Sequence, residues 1–189
     1  LYDIKQTPTY SMRALAFHEA IPGHHLQNAL NLENDDLSLY RRFGYYTSAF
    51  GEGWALYAER LSSEIGLTDN PYDELGVLQS ELFRAVRLVV DTGMHFKRWT
   101  REEAIDYMKK ITGMSDTEVT VEIERYIVWP GQACSYKVGM LKILELREKA
   151  KQALGESFDI RDFHSVVLDH GEPPLFIVEE LVNEMTSNR

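Results

Sequence analysis

The run from Ala16 to Gln27 constrains this chain most, because it places a His-Glu pair in an apolar helical pattern and then interrupts that pattern with Pro22-Gly23. Proline removes a backbone donor and clashes with the carbonyl four residues earlier, so a helix cannot pass through this point unchanged. Zinc hydrolases use a His-Glu pair on a helix, with histidine close behind, to place two metal ligands and a general base. The sequence therefore predicts a helical metal site built around His18.

The spacing leaves two histidines as candidates for the second ligand. His24 follows His18 by six residues and His25 follows it by seven, whereas the common pattern places the second histidine four residues on. In an undisturbed helix His25 would lie roughly 10 Å from His18 along the axis, too far for both to bind one zinc. If Ile21-Pro22 bulges out of the helix, His24 returns to the register of a second ligand. We expect His24, with His25 as the alternative.

A catalytic zinc site needs a third protein ligand and an open position for water. A carboxylate on the neighbouring antiparallel helix is the natural third ligand, and Glu52, between two glycines, is the best candidate. Glu59 lies seven residues further along the same face, where it can orient a histidine ligand from behind. Glu19 adjoins His18 and is expected to act as general base, taking a proton from zinc-activated water and passing it to the leaving group.

Four segments of the chain resemble, in the same order, the bacterial family called domain of unknown function 885. They are residues 18–27, 50–59, 84–95 and 130–136. The family resembles helical zinc peptidases of the thimet oligopeptidase and carboxypeptidase Taq kind, in which a glutamate on the next helix completes the metal site. The resemblance implies that Glu52 is this glutamate and that Tyr136 donates a hydrogen bond to the oxyanion. Because family members are typically much longer, it also implies that residues 1–189 are the carboxyl-terminal catalytic part of a longer protein.

Residues 84–95 carry a second polar pattern, in which Arg84, Arg87, Asp91 and His95 repeat at helical spacing and share one face. A structural Arg-Asp ladder is one interpretation. In the functional interpretation, Arg87 binds a substrate carboxylate through a two-pronged hydrogen bond and His95 is a second donor to the oxyanion. We expect structural roles for several other residues. Trp54 and Tyr57 are expected in the core, and His164 and His170 at a helix end and in a loop. Cys134 has no partner in the sequence that would activate its thiol.

The hydrophobic periodicity predicts helices throughout and no second domain. Capping boxes at Thr100 and Ser115 predict two helix starts, and Gly66 and Gly113 predict two helix ends. The expected helices cover residues 9–35 with an interruption, 37–65, 72–99, 101–111, 116–127, 132–154, 159–169 and 173–185. The predicted fold is therefore all-α, a single multi-helix domain over residues 1–189, and the family resemblance implies that this domain is a zincin-like metallopeptidase.

Composition excludes several classes of partner. The chain has 30 acidic and 20 basic residues, a net charge of −10, and no basic stripe, which argues against binding nucleic acid or anionic lipid. No apolar run reaches the length of a transmembrane helix, so we expect no membrane insertion. The single cysteine excludes an internal disulfide and a cysteine-based zinc site.

We therefore expect a zinc-dependent metallohydrolase, a peptidase that cleaves short peptides or related amides. One alternative is a non-catalytic helical domain whose degenerate metal site binds a peptide or protein partner. Another is a carboxylate-histidine site that holds iron or manganese. The sequence leaves open whether the protein is cytoplasmic or exported, and it leaves open the oligomeric state.

Overall fold

The computed structural model describes residues 8–187 and is helical from end to end. Within those residues the α-helices are α1 Met12–Glu19, α2 His24–Glu33, α3 Ser48–Glu64, α4 Pro71–His95, α5 Arg101–Thr112, α6 Asp116–Val128, α7 Ser135–Leu154, α8 Ile160–Leu168 and α9 Leu175–Ser187. No strand occurs in the described part of the chain, so the all-α prediction is confirmed.

The expected helix over residues 37–65 is wrong in its first third. Tyr40–Gly44 forms a π-helical turn, the chain is then extended at Tyr45 and Thr47, and α3 begins only at Ser48. The extended link is held from outside, because the Thr47 hydroxyl donates a 2.8 Å hydrogen bond to the backbone carbonyl of Glu172. A contact between residues so far apart in sequence overrides local helix propensity.

Local sequence signals set most of the other helix ends. Thr100 and Ser115 both form the predicted capping boxes, each with the glutamate three residues later. Asn70 caps α4 by accepting hydrogen bonds from the backbone N–H groups of Tyr72 and Asp73. Gly113 ends α5 in the left-handed region, at a φ of 70°.

Helix α3 lies at the centre of the main core, which also includes α7, α8 and α9. It packs closely against α7, since a Cβ at Gly53 would lie 2.5 Å from the Cα of Gly139. Trp54 and Tyr57 are almost fully buried in this core, and replacing such an aromatic residue by alanine typically costs about 3–5 kcal/mol of stability. A second core joins α4, α5 and α6. None of the helices in residues 8–187 is long and apolar enough to cross a bilayer.

Candidate metal centre

The interruption between α1 and α2 brings His24 back beside His18. α1 ends at Glu19, Ala20 leaves the helical region, and α2 starts at His24. Gly23 lies directly against α1, since a Cβ there would be 1.9 Å from the carbonyl oxygen of His18. The bulge is fixed to α3 by the indole of Trp54, which donates a 2.9 Å hydrogen bond to the carbonyl of Pro22. Only glycine allows the two backbones to approach so closely.

Three side chains converge on one point between α1, α2 and α3. The Oε2 atom of Glu52 lies 3.5 Å from His18 Nε2 and 3.2 Å from His24 Nε2. One donor atom from each residue lies within 4.8 Å of the other two. Ligands about 2.0–2.1 Å from a tetrahedral zinc are roughly 3.3 Å apart, so two of the three separations already match a zinc site. His25, the alternative second ligand, is exposed and is not part of this cluster.

Glu59 orients His18 from the opposite side of its ring. The Nδ1 atom of His18 lies 2.7 Å from Glu59 Oε1, and both side chains are almost fully buried. With Nδ1 hydrogen bonded to Glu59, the Nε2 edge of the ring faces Glu52 and His24. A carboxylate commonly fixes a metal-binding histidine in this way. The other carboxylate oxygen, Oε2, is buried without a hydrogen-bond partner in the described residues. The Arg84 guanidinium, 3.9 Å from Oε1, partly balances the charge.

The pKa values in the cluster follow from these contacts. Burial acts to raise the pKa of Glu52, but hydrogen bonds from His18 and His24 outweigh burial and lower that pKa to about 2. Burial acts to lower the pKa of His18, but hydrogen bonds to Glu52 and Glu59 outweigh it and raise the pKa. In this arrangement Glu52 is ionised at neutral pH, as a metal ligand must be.

Tyr136, in the first turn of α7, also lies at the cluster. Its ring stacks on that of His18 with centroids 6.0 Å apart and planes 21° apart, and its hydroxyl contributes to the lowered pKa of Glu52. Arg87 lies over the Tyr136 ring, 4.4 Å from its centroid. Arg87 is buried and donates a 2.9 Å hydrogen bond to the Tyr126 hydroxyl. The structure therefore places Arg87 behind Tyr136, and its predicted contact with substrate stays a prediction.

The two remaining candidates lie at helix ends. Glu19 is the last residue of α1 and is exposed beside His18. His95 is the last residue of α4, where its Nε2 atom lies 3.0 Å from the carbonyl oxygen of Tyr126. It is eight residues beyond Arg87, or about 12 Å further along the helix. His95 is thus not brought to the cluster by any contact described for residues 8–187, and its role as an oxyanion donor stays a prediction.

Sequence reasoning missed two residues near the cluster. Glu172, between α8 and α9, is 6% exposed and interacts electrostatically with His24 and Glu52. Tyr46, just before α3, has its pKa raised by burial and by the charge of Glu52. Neither belongs to a recognisable motif. The only signal for Glu172 was a charged residue inside the Gly171-Glu172-Pro173-Pro174 turn.

A family model described as "Bacterial protein of unknown function (DUF885)" matches residues 1–182. The chain belongs to the DUF885 family. No curated protein matches this DUF885 chain. A crystal structure named a "putative lipoprotein", from Colwellia psychrerythraea, superimposes with a TM-score of 0.96 at 53% identity and covers the whole chain. A second "putative lipoprotein of unknown function", from Shewanella oneidensis, gives a TM-score of 0.87 at 29% identity over 95% of the chain. The DUF885 chain spans about a third of both proteins, 32% and 33%.

Proposed function

We propose that this chain is the catalytic part of a zinc-dependent metallohydrolase, a peptidase acting on short peptides or related amides. The observation that supports the proposal most is the convergence of His18, His24 and Glu52, whose donor atoms all lie within 4.8 Å of one another. Clusters of exposed acidic groups are common in proteins without metals, but two half-buried or buried imidazoles around one carboxylate are the donor set of a catalytic zinc.

The chemistry of the donors fits zinc. Two imidazole nitrogens and one carboxylate oxygen are the ligands of one well-known class of zinc hydrolases, and they leave a fourth position open. Zinc bound there would supply a Lewis acid and a water whose pKa is lowered to about 7. His18, His24 and Glu52 would hold it, and Glu59 would keep His18 in the tautomer that binds through Nε2.

The chain's own residues then supply the proton transfers. Glu19 adjoins a ligand and is exposed at the end of α1, so its carboxylate accepts a proton from the attacking water and later delivers that proton to the leaving nitrogen. The Tyr136 ring stacks on the ring of His18. Its hydroxyl donates a hydrogen bond to the substrate oxygen as negative charge develops there. Arg87 holds the Tyr136 ring in place.

The choice of peptide substrates draws on the likeness of the His-Glu segment to peptidases of the thimet oligopeptidase and carboxypeptidase Taq kind. In those enzymes a glutamate from the next helix completes the site, and here Glu52 comes from α3, the next long helix. The bulge at residues 20–23 accounts for the two extra residues that separate this chain from their spacing. A non-catalytic domain that binds a peptide through the same ligands is the competing function, and it predicts zinc binding without turnover.

The decisive experiment compares Glu19→Gln with Glu33→Gln, an equally conservative change at an exposed glutamate of α2. Zinc content and hydrolysis of a panel of short peptides are measured for both variants and for the unchanged protein. We expect Glu19→Gln to retain zinc and to lose roughly 10²–10⁴-fold in kcat/KM, the usual contribution of a general base. Glu33→Gln should retain both the zinc and the peptide hydrolysis of the unchanged protein.

Three outcomes separate the alternatives. A zinc-loaded protein that hydrolyses no peptide or amide would favour the non-catalytic binding domain. Activity that survives Glu19→Gln would exclude Glu19 as the base. A protein that takes up no zinc would contradict the whole proposal.

A further inference from the structure

A cavity with both apolar and charged lining residues lies next to the metal cluster and is not used by the proposed reaction. It has a volume of about 280 Å³ and is lined by Tyr40, Arg41, Tyr45 and Glu172, among others. One wall is the π-helical turn Tyr40–Gly44. Such turns are rare in proteins and occur frequently at functional sites. The segment that leads into α9 forms another part of the lining.

Glu172 gives this cavity a buried carboxyl group, whose pKa is raised by burial. The residue is 6% exposed, and its carboxylate is held by neutral donors, the side-chain amide of Gln27 at 3.0 Å and the backbone N–H of Thr47 at 3.4 Å. No lysine, arginine or histidine of the described residues lies within ion-pairing distance of it. A buried carboxylate without a cationic partner is unfavourable, so a ligand that carries a cation would stabilise it.

Arg41 provides a positive charge in the same cavity. Its side chain is exposed, and its guanidinium makes no ion pair or hydrogen bond with the described part of the chain. His170 also lines the cavity, but burial lowers its pKa, so it is uncharged at neutral pH. Arg41 therefore supplies the positive charge of the lining, and no ion pair joins it to Glu172 within residues 8–187.

We propose that this cavity binds a small zwitterion of the α-amino acid class, with its ammonium group on Glu172 and its carboxylate on Arg41. A guanidinium binds a carboxylate through two parallel hydrogen bonds, and a buried carboxylate is a common partner of an ammonium group. Tyr40 and Tyr45, whose ring centroids are 5.8 Å apart, offer faces for the ligand's side chain.

The position of the cavity relates this ligand to the metal cluster. A Cβ at Gly51, the neighbour of Glu52, would lie 3.7 Å from Glu172 Oε2. Glu172 also interacts electrostatically with His24 and Glu52. An amino acid bound here would thus lie next to the candidate metal centre, as a product or an activator. The binding itself needs no hydrolysis, so it stands or falls separately from the proposed function.

The test is calorimetric titration of the zinc-free and zinc-supplemented protein with three ligand series. L-leucine, L-lysine and L-glutamate are each compared with the corresponding amide, which lacks the carboxylate charge, and with the N-acetyl derivative, which lacks the ammonium charge. At least one free amino acid should bind at millimolar concentration or below, and about tenfold or more tightly than both of its derivatives. The proposal is overturned if no free amino acid exceeds its derivatives.

Two variants with matched controls locate the charges. Arg41→Gln should weaken binding of the free amino acid by about tenfold or more and leave the amide unaffected. Arg98→Gln, at an exposed arginine outside the cavity, is the control. Glu172→Gln should weaken the free amino acid and leave the N-acetyl derivative unaffected, with Glu180→Gln, an exposed position on α9, as its control. Equal losses in a variant and its control would contradict the assignment.

Discussion

Two histidines pack against the central helix α3, and their surroundings give them opposite properties. His18 makes a 2.7 Å contact with the carboxylate of Glu59, and His164 makes a 2.7 Å contact with the hydroxyl of Tyr57. Glu59 and Tyr57 are two residues apart on α3, which places them about 200° apart around the helix. One helix therefore supports a histidine on each of two nearly opposite sides.

The partner determines what each histidine can do. The carboxylates around His18 raise its pKa, whereas burial lowers the pKa of His164 to about 4. Burial also raises the pKa of Tyr57 to about 12, so Tyr57 keeps its proton and its hydroxyl donates a hydrogen bond to His164 Nε2. The first histidine has an anionic partner at Nδ1, and its Nε2 faces the carboxylate of Glu52. The second is an uncharged part of an aromatic core, next to Trp54. A buried histidine is thus a candidate metal ligand only when its second ring nitrogen faces other potential metal-binding atoms.

The comparison predicts its largest effect on zinc binding when the histidines themselves are removed. His18→Ala should weaken zinc binding by more than about a hundredfold, because a direct ligand contributes more than the partner that orients it. His164→Ala should leave zinc affinity unchanged in whatever fraction of the protein is folded. Competition with a chromophoric chelator measures both affinities. Equal losses of zinc affinity in the two variants would contradict the proposed difference between His18 and His164.

The next effect concerns the two partners on α3. Glu59→Gln should weaken zinc binding by roughly 10–100-fold, since it removes the carboxylate that orients His18. Tyr57→Phe, the matched change on the other side of α3, should not alter zinc affinity. The same chelator competition applies. A zinc affinity that is insensitive to Glu59→Gln would show that His18 is positioned by packing alone.

A smaller effect is expected on stability at the Tyr57–His164 pair. Tyr57→Phe leaves His164 Nε2 without its donor and removes the hydroxyl that accepts a 3.3 Å hydrogen bond from Arg147. An unsatisfied buried acceptor costs roughly 1–3 kcal/mol. Urea denaturation of the zinc-free protein at pH 7 should show a loss of this size. No loss would mean that water replaces the hydroxyl.

The smallest effect, taken over a single pH unit, is on the pH dependence of stability. The folded pKa of His164, about 4, lies below its ordinary value, so between these two pKa values the unfolded chain binds a proton that the folded protein does not. This contribution is fully present above about pH 6.5 and is lost as the pH falls toward 4. His164→Phe should reduce the slope of unfolding free energy against pH in that window by no more than about 1.4 kcal/mol per pH unit. An unchanged slope would show that His164 titrates normally in the folded protein.

Much of the helical framework was predictable because its signals are local. The capping boxes at Thr100 and Ser115 and the break at Gly113 lie within a few residues of the helix ends they set. The π-helical turn at 40–44 and the late start of α3 were not predictable. They depend on the contact of Thr47 with Glu172, which are 125 residues apart, and no sequence pattern encodes that pairing.

The candidate site likewise has residues that the sequence predicts and residues that only the three-dimensional structure reveals. The convergence of His18, His24 and Glu52 followed from motif spacing and from the bulge expected at Ile21-Pro22. Placing Arg87 behind Tyr136 and Glu172 beside the cluster required the three-dimensional packing of α4 and of the α8–α9 connection. Charged residues without a motif give no indication in the sequence of which direction their side chains take.

The measurement that tests the central claim most directly is anomalous diffraction at the zinc edge from crystals of the protein soaked in zinc. We predict one strong peak bound by Nε2 of His18, Nε2 of His24 and a carboxylate oxygen of Glu52, each at about 2.0–2.2 Å. A peak at other residues, or no peak between these three side chains at saturating zinc, would contradict the account.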